Sequence, residues 1–175
     1  MTDVVGSVGI LWRGDRAARD DASARNSRLG PLFEALAEHH VRAEPVVFSE
    51  ELADEVRVQL EGLDGVLVWV DPIVNGVDRS RLDELLRDGS SRNVWVSAHP
   101  DVILKMGTKD ILYRTRDLGW GSDTHLYLTP EEFRREFPPR LAASGARVLK
   151  QHRGNGGIGV WKVELIASGS AELAA

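Results

Sequence analysis

Along the first hundred positions, short apolar runs alternate with stretches whose hydrophobic residues recur at helical spacing. "VVGSVGILW" from Val4 to Trp12, "AEPVVFS", "DGVLVWVDP" and "NVWVSAHP" are near-continuous apolar runs closed by turn residues, the pattern of strands buried on both faces. Between them, Leu29, Leu32, Phe33, Leu36 and Ala37 mark one face of a helix in "SRLGPLFEALAEHH". Ser49 stands where it can cap a helix whose first turn carries Glu50 and Glu51, and "DRSRLDELLRDG" reads as a helix with Asp78 as N-cap and Gly89 as its stop. The polar stretch from Arg13 to Ser27 reads as a loop or a ragged helix start. Strands alternating with helices predict a parallel sheet, so residues 1–100 are expected to form a Rossmann-like α/β unit. Trp12, Trp69, Trp95 and Trp161 fall in predicted strands and are expected in or beside the core.

From Asp101 the pattern changes, and residues 101–175 are expected to form a second, smaller α+β unit. "VILKMGTKDILYRT" predicts a helix, "RDLGWGSD" a loop and "THLYL" a short strand. "TPEEFRREFPPRLAASG" opens with Thr129 and Glu132 at capping-box spacing and Pro130 at the first helical position, and Pro138-Pro139 should end or kink that helix. "RVLKQH" and "VWKVELI" read as strands, and the small residues of "ASGSAELAA" as a frayed end.

Charge and composition narrow the chemistry. With 22 Lys and Arg against 27 Asp and Glu, a net charge of −5 argues against a general binder of nucleic acid or anionic membranes. Any anion site must be local. The absence of cysteine removes disulfides, thiolate metal sites and cysteine nucleophiles and suits a reducing cytoplasm. The five histidines have no metal-site spacing, and Ser97, His99 and Asp101, close in sequence, lack the nucleophile elbow of a hydrolase.

Gly154, Gly156 and Gly159 spell G-x-G-x-x-G, the dinucleotide fingerprint, which requires a helix after the glycines. Here Val160, Lys162 and Glu164 alternate with Trp161, Val163 and Leu165, so a strand follows. The unit is therefore a hairpin with a glycine-rich tip. Such a tip is either an exposed turn with solvated charges or a backbone flap whose amides approach phosphate oxygens. Arg147, Lys150, His152, Arg153 and Lys162 surround it with positive charge.

"VLKQHRGNGGIGVWKV" resembles the nucleotide-binding hairpin of the ATP-grasp superfamily, and "MGTKDILYRT" resembles the earlier family helix that presents a lysine. The order agrees as well: a Rossmann-like preceding domain, then the first lysine, then the second, then the loop. Together with "GTKDILYRTRDLGWGSDTHLY" the combination resembles a little-characterised bacterial subgroup of ATP-grasp proteins. The resemblance implies that Lys109 and Lys150 contact the α- and β-phosphates of ATP, accompanied by Mg²⁺. It also implies that Gly154, Gly156, Gly157 and Gly159 form the flap, with Arg153 a candidate to close it. The implied reaction phosphorylates a carboxylate to an acyl-phosphate that an amine or thiol then attacks.

The family's second lobe supplies the metal ligands, and only Glu164 and Glu172 are acidic after the loop. The resemblance therefore places no metal ligand or catalytic residue in this chain, which reads as cut off after its hairpin, completed by a partner chain, or reduced to binding. Such a chain is expected to be inactive alone. The alternative is a non-catalytic nucleotide- or phosphate-binding module that docks a partner. For either reading the expected assembly is a homo-oligomer or a complex with a chain supplying the missing lobe. Substrate contacts are expected at the carboxyl ends of the first unit's strands: Arg13, Gly14 and Asp15, then Asp71, Pro72 and Asn75, then His99, Pro100 and Asp101. Trp120, between two glycines, is weighed as a lid over the nucleotide against packing under its loop.

Overall fold

The computed structural model describes residues 4–74, 76–119, 122–154, 156–166 and 171–174. The chain divides into two compact units, Met1–Ile103 and Leu104–Ala175. Asn75 and Trp120 lie outside the described residues.

The first unit is α/β. Its elements are β1 (Gly6–Arg13), α1 (Arg16–Asp20), α2 (Gly30–Glu38), β2 (Val41–Phe48), α3 (Ala53–Glu61), β3 (Gly65–Trp69), β4 (Ile73–Val74), β5 (Val77–Asp78), α4 (Ser80–Ser91) and β6 (Trp95–Ser97). β2, β1, β3 and β6 form a four-stranded sheet in that order, every pairing parallel. β4 and β5 make a separate small hairpin. The register sets Leu11 beside Val46 and Val68, and Gly9 beside Val66. That face packs under α3 and α4, where Phe48, Leu52, Val56, Leu60, Leu82 and Leu86 are almost wholly buried. A Cβ on Gly9 would come 2.7 Å from Val46 Cγ2, so glycine permits the close strand-to-core fit there.

Several local expectations change. Ser49 precedes a short 3-10 turn, Glu50–Leu52, without a side-chain cap bond, and α3 follows that turn. Gly89 does not stop α4, which runs to Ser91; it is buried within the helix near Leu60 and Val94, where a small residue packs closely. Asp78 still accepts the Ser80 amide at 2.9 Å. Trp69 and Trp95 are exposed rather than core. Their strand neighbours Val68 and Val96 face the α3/α4 core, so alternation turns both indoles to the opposite face. Arg79 and Asp83 form a buried pair: Arg79 Nε donates to Asp83 Oδ1 at 2.9 Å and Nη1 to the Val70 carbonyl at 2.9 Å, tying α4 to the end of β3.

α5 (Pro100–Met106) leads along the chain into the second unit, which continues with α6 (Ile111–Arg114), α7 (Pro130–Ser144), β7 (Ala146–Lys150), β8 (Val160–Leu165) and β9 (Ala171–Ala174). β7, β8 and β9 form an antiparallel sheet. The frayed end expected after Leu165 is thus replaced by a strand, Ala171–Ala174, that pairs with Leu165–Lys162 and offers its backbone groups ladder partners. The expected strand "THLYL" joins no sheet: Leu128 N–H donates instead to Glu132 Oε2 at 2.8 Å, the side-chain half of the cap on α7. Thr129 Oγ1 completes that cap by accepting the Glu132 amide at 3.1 Å. α7 runs on through Pro138 and Pro139. The residues whose carbonyls lose their helical donors, Arg134 and Arg135, are exposed to water, while Phe137 and Leu141 anchor the helix against Val163.

Candidate functional site

The segment read as one helix around Lys109 is broken, and the break builds the site. α5 ends at Met106 and α6 begins at Ile111, with Lys109 in the turn between them. Thr108 is buried, and its hydroxyl donates to Asp110 Oδ1. The Lys109 amide, free of a helical ladder, donates to the His152 carbonyl at 3.0 Å, and Lys109 Nζ reaches the Gly154 carbonyl at 3.4 Å. A local preference for helix thus yields to two long-range bonds that strap the first lysine to the shoulder of the hairpin.

The hairpin itself follows the expected pattern. Lys150 pairs with Val160, and the Gln151 amide donates to the Gly159 carbonyl at 2.8 Å, so the ladder runs one step past the strands before the loop opens. Gly159 has φ +74°, and a Cβ there would collide with the Gln151 side chain. Gly154 folds back so closely that a Cβ would lie 2.6 Å from the Ile158 carbonyl oxygen. Gly156 and Gly157 form the turn between them with open space around each.

Beside this hairpin lies a cavity of about 330 Å³. Lys109 and Lys150, 41 positions apart in the chain (150 − 109), both line it, with Asp110, Tyr113, Arg147 and His152. Neither lysine has a carboxylate partner among the described residues. Other charges around the cavity are already paired. Arg147 Nη2 meets Asp123 Oδ2 at 2.6 Å and its Nη1 donates to the Asp123 carbonyl at 2.9 Å, while His125 Nε2 is 2.9 Å from Asp123 Oδ1. The Arg147 guanidinium, with a lesser effect from His125, holds the Asp123 carboxyl below the usual carboxylate range. The Thr108 hydroxyl and then Arg114, whose Nε donates at 2.7 Å, do the same for Asp110. Both carboxylates are thereby held in their ionised, bonded form, and neither is paired with Lys109 or Lys150 among the described residues.

The cavity wall ends at His152: Arg153, Gly154, Gly156, Gly157 and Gly159 do not line it, and Arg153 lies in the loop beyond. Lys162, counted in the positive cluster, does not line the cavity; it lies on β8 on the same sheet face as Lys150 and is paired with Glu164. Sequence reasoning missed Asp110, Asp123 and His125. Their one signal was position, Asp110 directly after Lys109 and the other two in a polar stretch; the Arg147 partner that gives Asp123 its place lies 24 residues away.

At the carboxyl end of the first unit's sheet, Asp15 caps α1 by accepting the Ala18 amide at 2.8 Å. His99 Nδ1 accepts the Asp101 amide at 3.2 Å, and Asp101 accepts from Arg87 Nε at 2.8 Å. Asp71 is exposed. Among the described residues no group of three or more His, Asp or Glu stands together as a metal site, and no helix is long and apolar enough to cross a membrane. Comparison with protein-family models, with curated proteins and with solved structures found no match to the chain.

Proposed function

We propose that the second unit binds the phosphate chain of ATP as the nucleotide-binding lobe of an ATP-grasp-type ligase joining a carboxylate to an amine or thiol. One observation carries the reading: two lysines from distant segments, without carboxylate partners, share a cavity at the base of a glycine-rich antiparallel hairpin. Ammonium groups and unencumbered loop amides are the donors a polyphosphate requires, and Mg²⁺ would offset the charge that remains. In the reaction this implies, a substrate carboxylate oxygen attacks the γ-phosphorus as the bond to ADP breaks. The amine or thiol then attacks the acyl carbon and expels phosphate. The roles assigned to Lys109 and Lys150 are binding and orientation of the phosphates, which lower the barrier by position and charge rather than by covalent participation. A non-catalytic nucleotide- or phosphate-binding module would use the same contacts and differ only in turnover.

Titration with Mg-ATP, followed by tryptophan fluorescence, tests the reading. A saturable change is expected, weakened about tenfold or more in Lys150→Ala and in Lys109→Ala, the loss of one charge-assisted contact each. No response at millimolar ATP, or an unaltered response in Lys150→Ala, overturns it. By itself the chain is expected to bind without turnover, so ligase and binding module are separated by carboxylate-dependent ADP release once a protein supplying the family's metal-binding lobe is added.

A further inference from the structure

Arg116 opens the short turn that follows α6, Arg116–Leu118, and lines a second cavity of the second unit, about 400 Å³ in volume. Tyr113, Ser122, Asp123, Thr124 and His125 line it too, and those five also line the cavity shared by Lys109 and Lys150. The two recesses therefore have walls in common, and Arg116 is the group that the second one adds. A ligand in one lies within a side chain's breadth of a ligand in the other.

The Arg116 guanidinium is positioned but not filled. Its carbon stands 4.0 Å from the centre of the Tyr113 ring, and Nη1 donates to the Tyr113 carbonyl at 2.7 Å. Stacking and one hydrogen bond together fix the plane of the group. Its Nε and Nη2 make no hydrogen bond among the described residues, and the side chain is 38% exposed, so solutes reach that edge from the cavity. Nη2 is 3.5 Å from Asp117 Oδ2, but the Asp117 side chain is 82% exposed, and an ion pair in water contributes little and yields readily. Arg114 and Arg147 are closed more firmly, by Asp110 Oδ2 at 2.7 Å and Asp123 Oδ2 at 2.6 Å.

The rest of the wall suits a small organic acid. Ser122 Oγ and Thr124 Oγ1 lie 3.1 Å apart, and each hydroxyl can also donate to or accept from a ligand. Asp123, the carboxylate of this wall, is taken by Arg147 and His125 and so does not compete for Arg116. A planar, singly charged carboxylate matches the Nε/Nη2 edge with two parallel bonds. A phosphate dianion would bring two charges up to Asp117 and Asp123, with the one guanidinium of this wall to meet them.

We infer that this cavity seats the acid substrate, a small-molecule carboxylate held by the Nε/Nη2 edge of Arg116, beside the phosphate chain. The inference rests on the ligase reading for what the carboxylate does, while the contact itself depends on no nucleotide. Its contribution is position: an acid held against the wall of the Lys109 and Lys150 cavity is held near the phosphate that its oxygen attacks. The acid is thereby assigned to the second unit rather than to the strand ends of the first.

Two magnetic-resonance probes in the full chain test the inference. The Arg116 Nε–H signal is identified by its loss in Arg116→Lys, and the Tyr113 ring signals by Tyr127→Phe, since the chain has 2 tyrosines. Succinate, phosphate or chloride is added at matched ionic strength without ATP. Both probes should shift saturably with succinate, less with phosphate and not with chloride. Arg116→Lys, which keeps the charge and loses the fork, should bind succinate about tenfold more weakly by calorimetry, while Lys150→Ala weakens Mg-ATP and leaves succinate binding in place. Unmoved probes, or equal shifts from all three anions, overturn the inference and leave the nucleotide reading to its own titration. Succinate binding through Arg116 without any response to Mg-ATP supports the carboxylate site and overturns the nucleotide reading instead. Should Arg116→Lys fail to fold, the Tyr113 signals with Arg116 intact decide alone.

Discussion

The two units are stabilised by different means. Among the described residues, fifteen buried side chains form the apolar cluster of the first, whereas three, Phe137, Leu141 and Val163, form that of the second, extended by Tyr127, Phe133 and Leu149 around them. Edge-to-face and stacked aromatic contacts, with Phe133 and Phe137 centroids 4.7 Å apart, give the small core its cohesion. The second unit is otherwise held by polar straps: Lys109 to the hairpin shoulder, Arg147 to Asp123, and Thr108 and Arg114 to Asp110. Those straps line the cavity. A region with few buried apolar contacts and bonds that water can replace opens at low free-energy cost, so the proposed nucleotide site belongs to the part of the chain most readily ordered by a ligand.

The largest effects should separate the units. Phe48→Ala removes a wholly buried ring from the first core and should cost about 3–5 kcal/mol in denaturant unfolding. Phe137→Ala should abolish hydrogen-exchange protection in α7 and β7 while leaving the first unit's transition in place. A common shift of both transitions would show that the two units unfold as one. Asp83→Ala, which strands the buried Arg79 guanidinium, should destabilise the first unit by about 3 kcal/mol, with ATP titration unchanged. A mild loss would mean that water reaches Arg79.

In the second unit, Gly159→Ala forces a Cβ into left-handed backbone and against Gln151, at a cost of about 1–2 kcal/mol, and should weaken the ATP response more than it lowers the melting temperature. Equal losses would reduce the glycine to a structural turn. The smallest effect is electrostatic. Because Asp123 and Asp110 titrate below their ordinary values, the order they contribute is complete at and above the usual carboxylate range and is lost as pH falls through the lowered values. Arg147→Ala should raise the Asp123 pKa back toward ordinary, read from the carboxyl ¹³C shift against pH. An unmoved midpoint would assign the shift to another group.

Much of this architecture was legible in the chain. The continuous apolar runs identify buried parallel strands because only such strands are apolar on both faces, and the period-two pattern after Gly159 rules out a helix there. Thr129 and Pro130 mark the start of α7 through side-chain chemistry that acts within four residues. Less was legible wherever a distant partner outbid a local preference. The "MGTKDILYRT" helix is interrupted where the Lys109 amide meets the distant His152 carbonyl. Gly89 and the Pro138-Pro139 pair carry strong stop signals, yet burial of the surrounding apolar face keeps both helices whole.

By itself the sequence determined what period and local chemistry determine: a parallel α/β unit, a helix with its cap, and a hairpin with glycines at its tip. Tertiary structure alone decided which charges are free. Lys109 and Lys150 line one cavity, Arg147 is taken by Asp123, and Arg79 by Asp83. Ion pairing depends on separations of a few ångströms between residues tens of positions apart, and those distances exist only once the chain has folded.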